Sequence, residues 1–302
     1  MKINPVYKRE LTVSSRSIRT AMILLAFNGI LALAALFNMY SVIAQVKISA
    51  EIQYSRFLEL YLLVAAIEFT LLMFTMPGIT AGSISGERER QTLDLLLTTM
   101  MTPGQIIVGK LLSAFVTMFL LVVSSLPVIS MVFVYGGISV RNLCMLVLCY
   151  AAAAFFAGSL GICASSVFKR STMATVCTYA ALAAVAGGTY AINYFAYSMS
   201  QMNVGNYMSA VGGAAARASS GGCIYLLLIN PLVTFYAVLN GQTGSSQTAA
   251  QVTQWFGGRG DGLLTSWWVP LSLAVQILAA LLLLWIAVAA VDPARKRGGI
   301  RE

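Results

Sequence analysis

Three groups of residues in this chain are of types and spacings that could do chemistry. Gly104, Gly109 and Lys110 fit the G-x-x-x-x-G-K spacing of a phosphate-binding loop. Such a loop needs Ser or Thr after the lysine, to hold Mg²⁺, and a strand before the first glycine. Here Leu111 follows, Thr102-Pro103 precedes and a long apolar run begins at once, so nucleotide binding at this motif is excluded. On this reading Lys110 instead snorkels to the inner membrane interface. Glu68 lies near the middle of another apolar run. A charge there costs about 2.5–3.5 kcal/mol on insertion scales. Glu68 must therefore face a cavity or a partner, or take up a proton. A residue of a transport path and a structural hydrogen bond to a neighbouring helix are both open readings. The third group is Glu87, Arg88, Glu89, Arg90, Asp94 and Lys110, six of the 29 formally charged side chains.

Composition removes other chemistries. Histidine is absent, which excludes Ser-His-Asp and Cys-His catalysis, imidazole-bound zinc and histidine proton relays. Cys144, Cys149, Cys163, Cys177 and Cys223 lie in or beside apolar runs without C-x-x-C spacing and read as free thiols. Hydrophobic residues make up 59% and charged ones 10%, with mean hydropathy +0.82. Soluble domains carry about 25% charged residues. The fold class is an all-α integral membrane protein. The net charge of +9 then reports topology rather than nucleic-acid binding. Residues 1–20 are too polar to hold the apolar core of a cleavable signal peptide.

The charged groups are positioned by the apolar runs on either side. Residues 1–19 carry Ile3, Tyr7, Leu11 and Ile18 at near-helical spacing among five cations; this is an interfacial amphipathic helix or a basic tail that sets orientation. Residues 20–81 hold spans one (21–43) and two (57–81), joined by a polar loop from Lys47 to Arg56. At about 1.5 Å per residue the first run reaches about 35 Å, enough to cross. Residues 82–110 are the charged loop, and 111–197 hold spans three (111–135), four (143–168) and five (173–197). Pro127 is a point where the third could kink. Residues 198–266 are rich in Gly, Ser, Gln and Asn around one apolar piece, 223–239, broken at Asn230-Pro231. Span six is 267–291, entered through Trp267-Trp268, and 292–302 is a basic tail.

Treating 223–239 as a seventh span would leave Lys and Arg divided ten to nine across the membrane. Six spans place fourteen inside and five outside, the five being Lys47, Arg56, Arg141, Arg217 and Arg259. The positive-inside rule selects six, with both termini and the charged loop cytoplasmic. Segment 223–239 is then re-entrant or lies on the outer surface, its broken backbone buried against protein. Small residues recur every four positions at Ala153, Ala157, Gly161 and Ser165, and at Ala180, Ala184 and Gly188. Such stripes let helices approach closely, within one subunit or between two.

Within the loop, Glu87, Gln91, Asp94 and Thr98 share one helical face, and Leu93, Leu96, Leu97 and Met100 share roughly the opposite one. Glu89 stands in the first turn, where the helix dipole favours an acid. Thr102-Pro103 reads as a new N-cap with proline at the first helical position. The expected element is a short two-faced helix, a break, and a second helix running into span three.

The stretch SGERERQTLDLLLTTMMTPGQIIVGKL resembles the cytoplasmic loop of ABC-2 type permeases, the membrane subunits of ATP-binding-cassette exporters. Their pattern is an E-R-E/Q-R pair, then G-T-L-[DE]-x-L-L, T/S-P and G-K. Gln91 stands where glycine is common, and Gln is the better helix former. Met100-Met101 lengthens the approach to Pro103. The resemblance implies ATPase-coupling roles for Glu87, Arg88, Glu89, Arg90, Thr92, Leu93, Asp94, Leu96, Leu97 and Pro103. It places the second and fifth spans beside the transport path, which bears on Glu68. It implies two copies of a separate ATPase binding ATP and Mg²⁺, with no cofactor on this chain. It also implies a second permease subunit, identical or similar, in the cell membrane of a bacterium, and no nucleic-acid partner. The chain is then a transport subunit rather than an enzyme, with surrounding lipid its other partner. An ion-coupled secondary transporter would instead show internal repeats and several charged residues within spans. A membrane-embedded enzyme would show clustered polar catalytic groups.

Overall fold

The apolar runs fold as helices of the length a bilayer demands. The computed structural model describes residues 5–49, 55–93, 102–134, 139–211, 218–243 and 267–291. In chain order they form α1 (Pro5–Ser15), α2 (Ile18–Ser49), α3 (Ser55–Thr80), α4 (Ser85–Glu89), α5 (Pro103–Val134) and α6 (Val140–Val167). There follow α7 (Ser171–Ala183), a π-helical turn (Ala184–Gly188), α8 (Thr189–Val211), a 3-10 helix (Gly221–Ile229), α9 (Pro231–Thr243) and α10 (Trp268–Val291). Among the described residues six helical stretches are long and apolar enough to cross a membrane, the fifth running through α7, the π turn and α8, or seven if the bent pair of the 3-10 helix and α9 counts as one span. Asp94, Leu96, Leu97 and Met100, residues 212–217 and 244–266 of the expected external loop, and the basic tail lie outside the described residues.

Two boundaries differ from the sequence reading. Ile18 opens α2 rather than closing α1, because the helix is interrupted at Arg16-Ser17 and Ser17 accepts the first backbone bonds of α2. α2 also runs on through Lys47 to Ser49. α5 starts at Pro103, as the Thr102-Pro103 signal predicts, and stays one helix through Pro127.

Contacts divide the chain into two compact units, Met1–Tyr179 with Ala280–Glu302, and Ala180–Ala279. In the first, α3 packs on α2, α5 and α6, and α1 lies against α5. The α6 stripe makes this possible. A Cβ added at Gly161 would overlap Thr80 Oγ1 and stand 3.2 Å from the Ala81 nitrogen. Ala153, Ala157 and Ser165 are buried on the same stripe. It serves packing inside one chain, the small-residue approach expected where helices meet in lipid. Cross-helix bonds add to it: Asn28 Nδ2 donates to Ser124 Oγ (2.9 Å), and the Tyr150 hydroxyl to the Ala65 carbonyl (2.9 Å).

The second unit is organised at Asn230, where the 3-10 helix and α9 meet at 92°. Asn230 is fully buried. Its Oδ1 accepts from Leu232 N (3.0 Å), capping α9 with Pro231 in the first helical position. Its Nδ2 donates to the Ala186 carbonyl and to Thr189 Oγ1, both at 2.8 Å, tying the bend to the π turn. Gln276 Nε2 donates to Thr234 Oγ1 (2.7 Å), whose hydroxyl meets Ser272 Oγ at 2.9 Å. The stripe of the fifth span does not pack as that of α6 does: Ala180 and Ala184 are exposed, and a Cβ at Gly188 would meet nothing within 4 Å.

Candidate functional site

The charged segment after α3 is fastened to four other helices, one residue at a time. The backbone N–H groups of Ile84 and Ser85 both donate to Ser165 Oγ of α6 at 2.9 Å. The first turn of a helix leaves N–H groups without partners, and here another helix supplies the acceptor. Ser165 was legible only as a small residue of a stripe; its capping role depends on a contact eighty residues away in sequence.

Glu87 comes next. Lys110 Nζ of α5 lies 2.8 Å from Glu87 and 3.3 Å from Glu10 of α1. Lys110 is only 8% exposed, so it does not snorkel to the interface as expected. A buried ammonium needs paired acceptors, and two carboxylates provide them.

Arg88 and Glu89 read the ends of two helices. Arg88 donates to the carbonyls of Ser166 (3.1 Å) and Phe168 (3.4 Å), at the C-terminal end of α6. Glu89 accepts from Ser171 N and Ser171 Oγ, both 2.8 Å, at the N-terminal end of α7. Each charge sits at the helix end whose partial charge it complements. Together they clamp the turn from Phe168 to Ser171, leaving Lys169 and Arg170 exposed.

At Gln91 the backbone turns. Arg90 caps α4, and Gln91 has φ 57°, the left-handed region. The expected helical face through Glu87, Gln91 and Asp94 is therefore interrupted. Tertiary ties on both sides impose a conformation that glycine adopts freely and Gln does not. Thr92 Oγ1 donates back to the Glu87 carbonyl (3.1 Å). Leu93, 5% exposed, packs with Ile84, Ile107, Leu111 and Ile162 and with Ala287 of α10. Arg90, Gln91 and Thr92 remain exposed as a corner.

Pro103 opens α5, and Thr102 caps it. Thr102 Oγ1 accepts from Gln105 N (3.3 Å) while Gln105 Oε1 accepts from Thr102 N (3.2 Å), a reciprocal capping box.

Glu68 is not part of this cluster. It lies twelve residues before the end of α3, about 18 Å along the helix. It is fully buried, accepts a bond from Ser125 Oγ of α5, and has the Tyr150 hydroxyl of α6 beside it. Ser125 Oγ also stands 2.8 Å from the Val122 carbonyl, so its one proton serves one acceptor at a time.

Among the described residues the arrangement brings together no nucleophile and base; it is a charged segment bonded to α1, α5, α6 and α7 that leaves a polar corner exposed. A family model described as "ABC-2 family transporter protein" matches residues 4–291 of the chain. No curated protein matches it.

Proposed function

The chain belongs to the ABC-2 family of transporter proteins, and from that premise we propose that it is the permease subunit of an exporter powered by a separate ATPase. The observation that carries this is the junction around α4. A segment that receives a push must be stiff and must reach the spans that move. Residues 84–89 are bonded to α5, α6 and α7, and through Lys110 to α1. Force applied at the exposed Arg90–Thr92 corner would reach several helices at once.

In this scheme residues 82–110 and both termini are cytoplasmic, and two ATPase subunits hold ATP and Mg²⁺. A second permease, identical or similar, completes the path. Arg90 and Thr92, with Asp94, Leu96 and Leu97 beyond them, form the docking surface. Glu87, Arg88, Glu89 and Leu93 position that surface, and Pro103 fixes where α5 begins. Glu68 acts as a tie among the second, third and fourth spans, a role its full burial favours over lining the path. Residues 221–243 form a re-entrant element on the outer side.

The test is purification of the chain from its own membranes with whatever it binds. We expect a co-purifying protein carrying a phosphate-binding loop, and ATP hydrolysis by the complex but not by the chain alone. Transport in vesicles driven by an ion gradient without ATP would overturn the proposal in favour of an ion-coupled transporter.

A further inference from the structure

A groove of about 420 Å³ runs between α2 and α3, lined by Ile23, Ala26 and Phe27 on one side and Leu71, Phe74 and Gly78 on the other. We propose that this groove holds one acyl chain of an anionic phospholipid whose headgroup lies at the elbow between α1 and α2. The lining decides the chemistry of the occupant. Its one side-chain hydroxyl, Thr75 Oγ1, donates to the Leu71 carbonyl at 2.6 Å, within its own helix. A dry, apolar groove suits a hydrocarbon chain and not water or a polar solute.

Ala26 leaves space on the α2 side of the groove, and on α3 the missing Cβ of Gly78 lets the Tyr179 hydroxyl come close, since a Cβ there would stand 3.2 Å from it. That hydroxyl donates to the Phe74 carbonyl (2.7 Å), and the two rings are 6.1 Å apart, which fixes the α3 wall. In surrounding lipid no hydrophobic gain distinguishes one chain from another, so retention must come from shape and from the headgroup.

The headgroup is set by charge. The groove occupies the half of α2 nearest its start and the half of α3 nearest its end, the same end at which α1 joins α2. Arg16 is exposed at that elbow, and Lys8 and Arg9 are exposed on α1, the helix that joins it. A basic interfacial helix beside the bilayer favours anionic headgroups. The inference needs the chain to lie in a bilayer and does not depend on an ATPase partner.

The experiment is native mass spectrometry of the delipidated full chain titrated with dioleoyl phosphatidylglycerol or dioleoyl phosphatidylcholine. We expect one phospholipid retained per chain, with phosphatidylglycerol preferred by about fivefold for each basic residue engaged. Ala26→Trp fills the groove and should abolish retention. Leu33→Trp, on the exposed face of the same helix, should not, which controls for folding. Arg16→Gln should keep the chain but lower the preference for phosphatidylglycerol by about fivefold. Retention in Ala26→Trp equal to wild type would overturn the site, as would no retained lipid in wild type. Lipid-free wild type that is dimeric, with Ala26→Trp monomeric, would give the groove to a second copy instead.

Discussion

The Lys110 ammonium lies 2.8 Å from the Glu87 carboxylate and is shared with Glu10 at 3.3 Å, so one buried cation joins the charged segment to the N-terminal helix and the third span. Removing one partner of a fully buried ion pair costs about 3–5 kcal/mol, and the cost here is lower because Glu87 and Glu10 keep 19% and 33% side-chain exposure. Lys110→Met should therefore lower the unfolding temperature of the purified chain. Glu87→Gln in the same background should restore part of the loss. An unchanged unfolding temperature in Lys110→Met would show that the contact contributes nothing.

Gln91 tests the turn. A left-handed residue other than glycine costs about 1–2 kcal/mol. Gln91→Gly should stabilise the chain by up to about 1 kcal/mol, once the greater freedom of glycine in the unfolded chain is set against the relief. Gln91→Ile should destabilise it, since a β-branched side chain tolerates positive φ least. Denaturation curves rank the three, and the opposite order would mean that the segment is helical through Gln91.

Gly161 tests whether the small-residue stripe packs within one chain. Gly161→Ala drives a Cβ into Thr80 and should cost about 1–3 kcal/mol. Thr80→Ala in the same background should recover much of it, because the nearest atom is the Thr80 hydroxyl. Loss of dimer with unchanged monomer stability would place the stripe at a subunit interface instead.

Topology is open to single-cysteine labelling in a background lacking the five native cysteines. Gly299→Cys should react with a membrane-impermeant thiol reagent only after permeabilisation. Reaction in intact cells would put the C-terminus outside and contradict six spans with both termini cytoplasmic.

Much of the fold is local and was legible in the sequence. Six apolar runs gave six spanning helices, Asn230-Pro231 marked the bend, and Thr102-Pro103 marked the start of α5. Gln105, three residues after Thr102, carried the signal for the capping box as well. The site was less legible, because its partners come from far along the chain. The resemblance implied ATPase-coupling roles for Arg88 and Glu89, and Glu89 read as an acid suited to the first turn of its own helix. They are helix-end contacts, and the ends they meet, at Ser166 and Ser171, are about eighty residues away. Lys110 looked interfacial from its place at the head of an apolar run, and only the approach of α1 and α4 makes it a buried cation. Gln91 misled for a different reason: helix propensity favours Gln, and tertiary ties overrode it. The glycine common at this position among ABC-2 permeases was the available signal for a left-handed turn.

In the proposed scheme a separate ATPase presses on this chain at the Arg90–Thr92 corner. A photo-crosslinking amino acid placed at position 91 in native membranes tests it directly. The account requires a crosslink to a protein identified by peptide mass spectrometry as carrying a phosphate-binding loop. Yield should fall with Arg90→Glu and persist with Lys169→Gln. No ATPase crosslink from position 91, in a chain that still co-purifies with its ATPase, would contradict it and place the docking surface elsewhere.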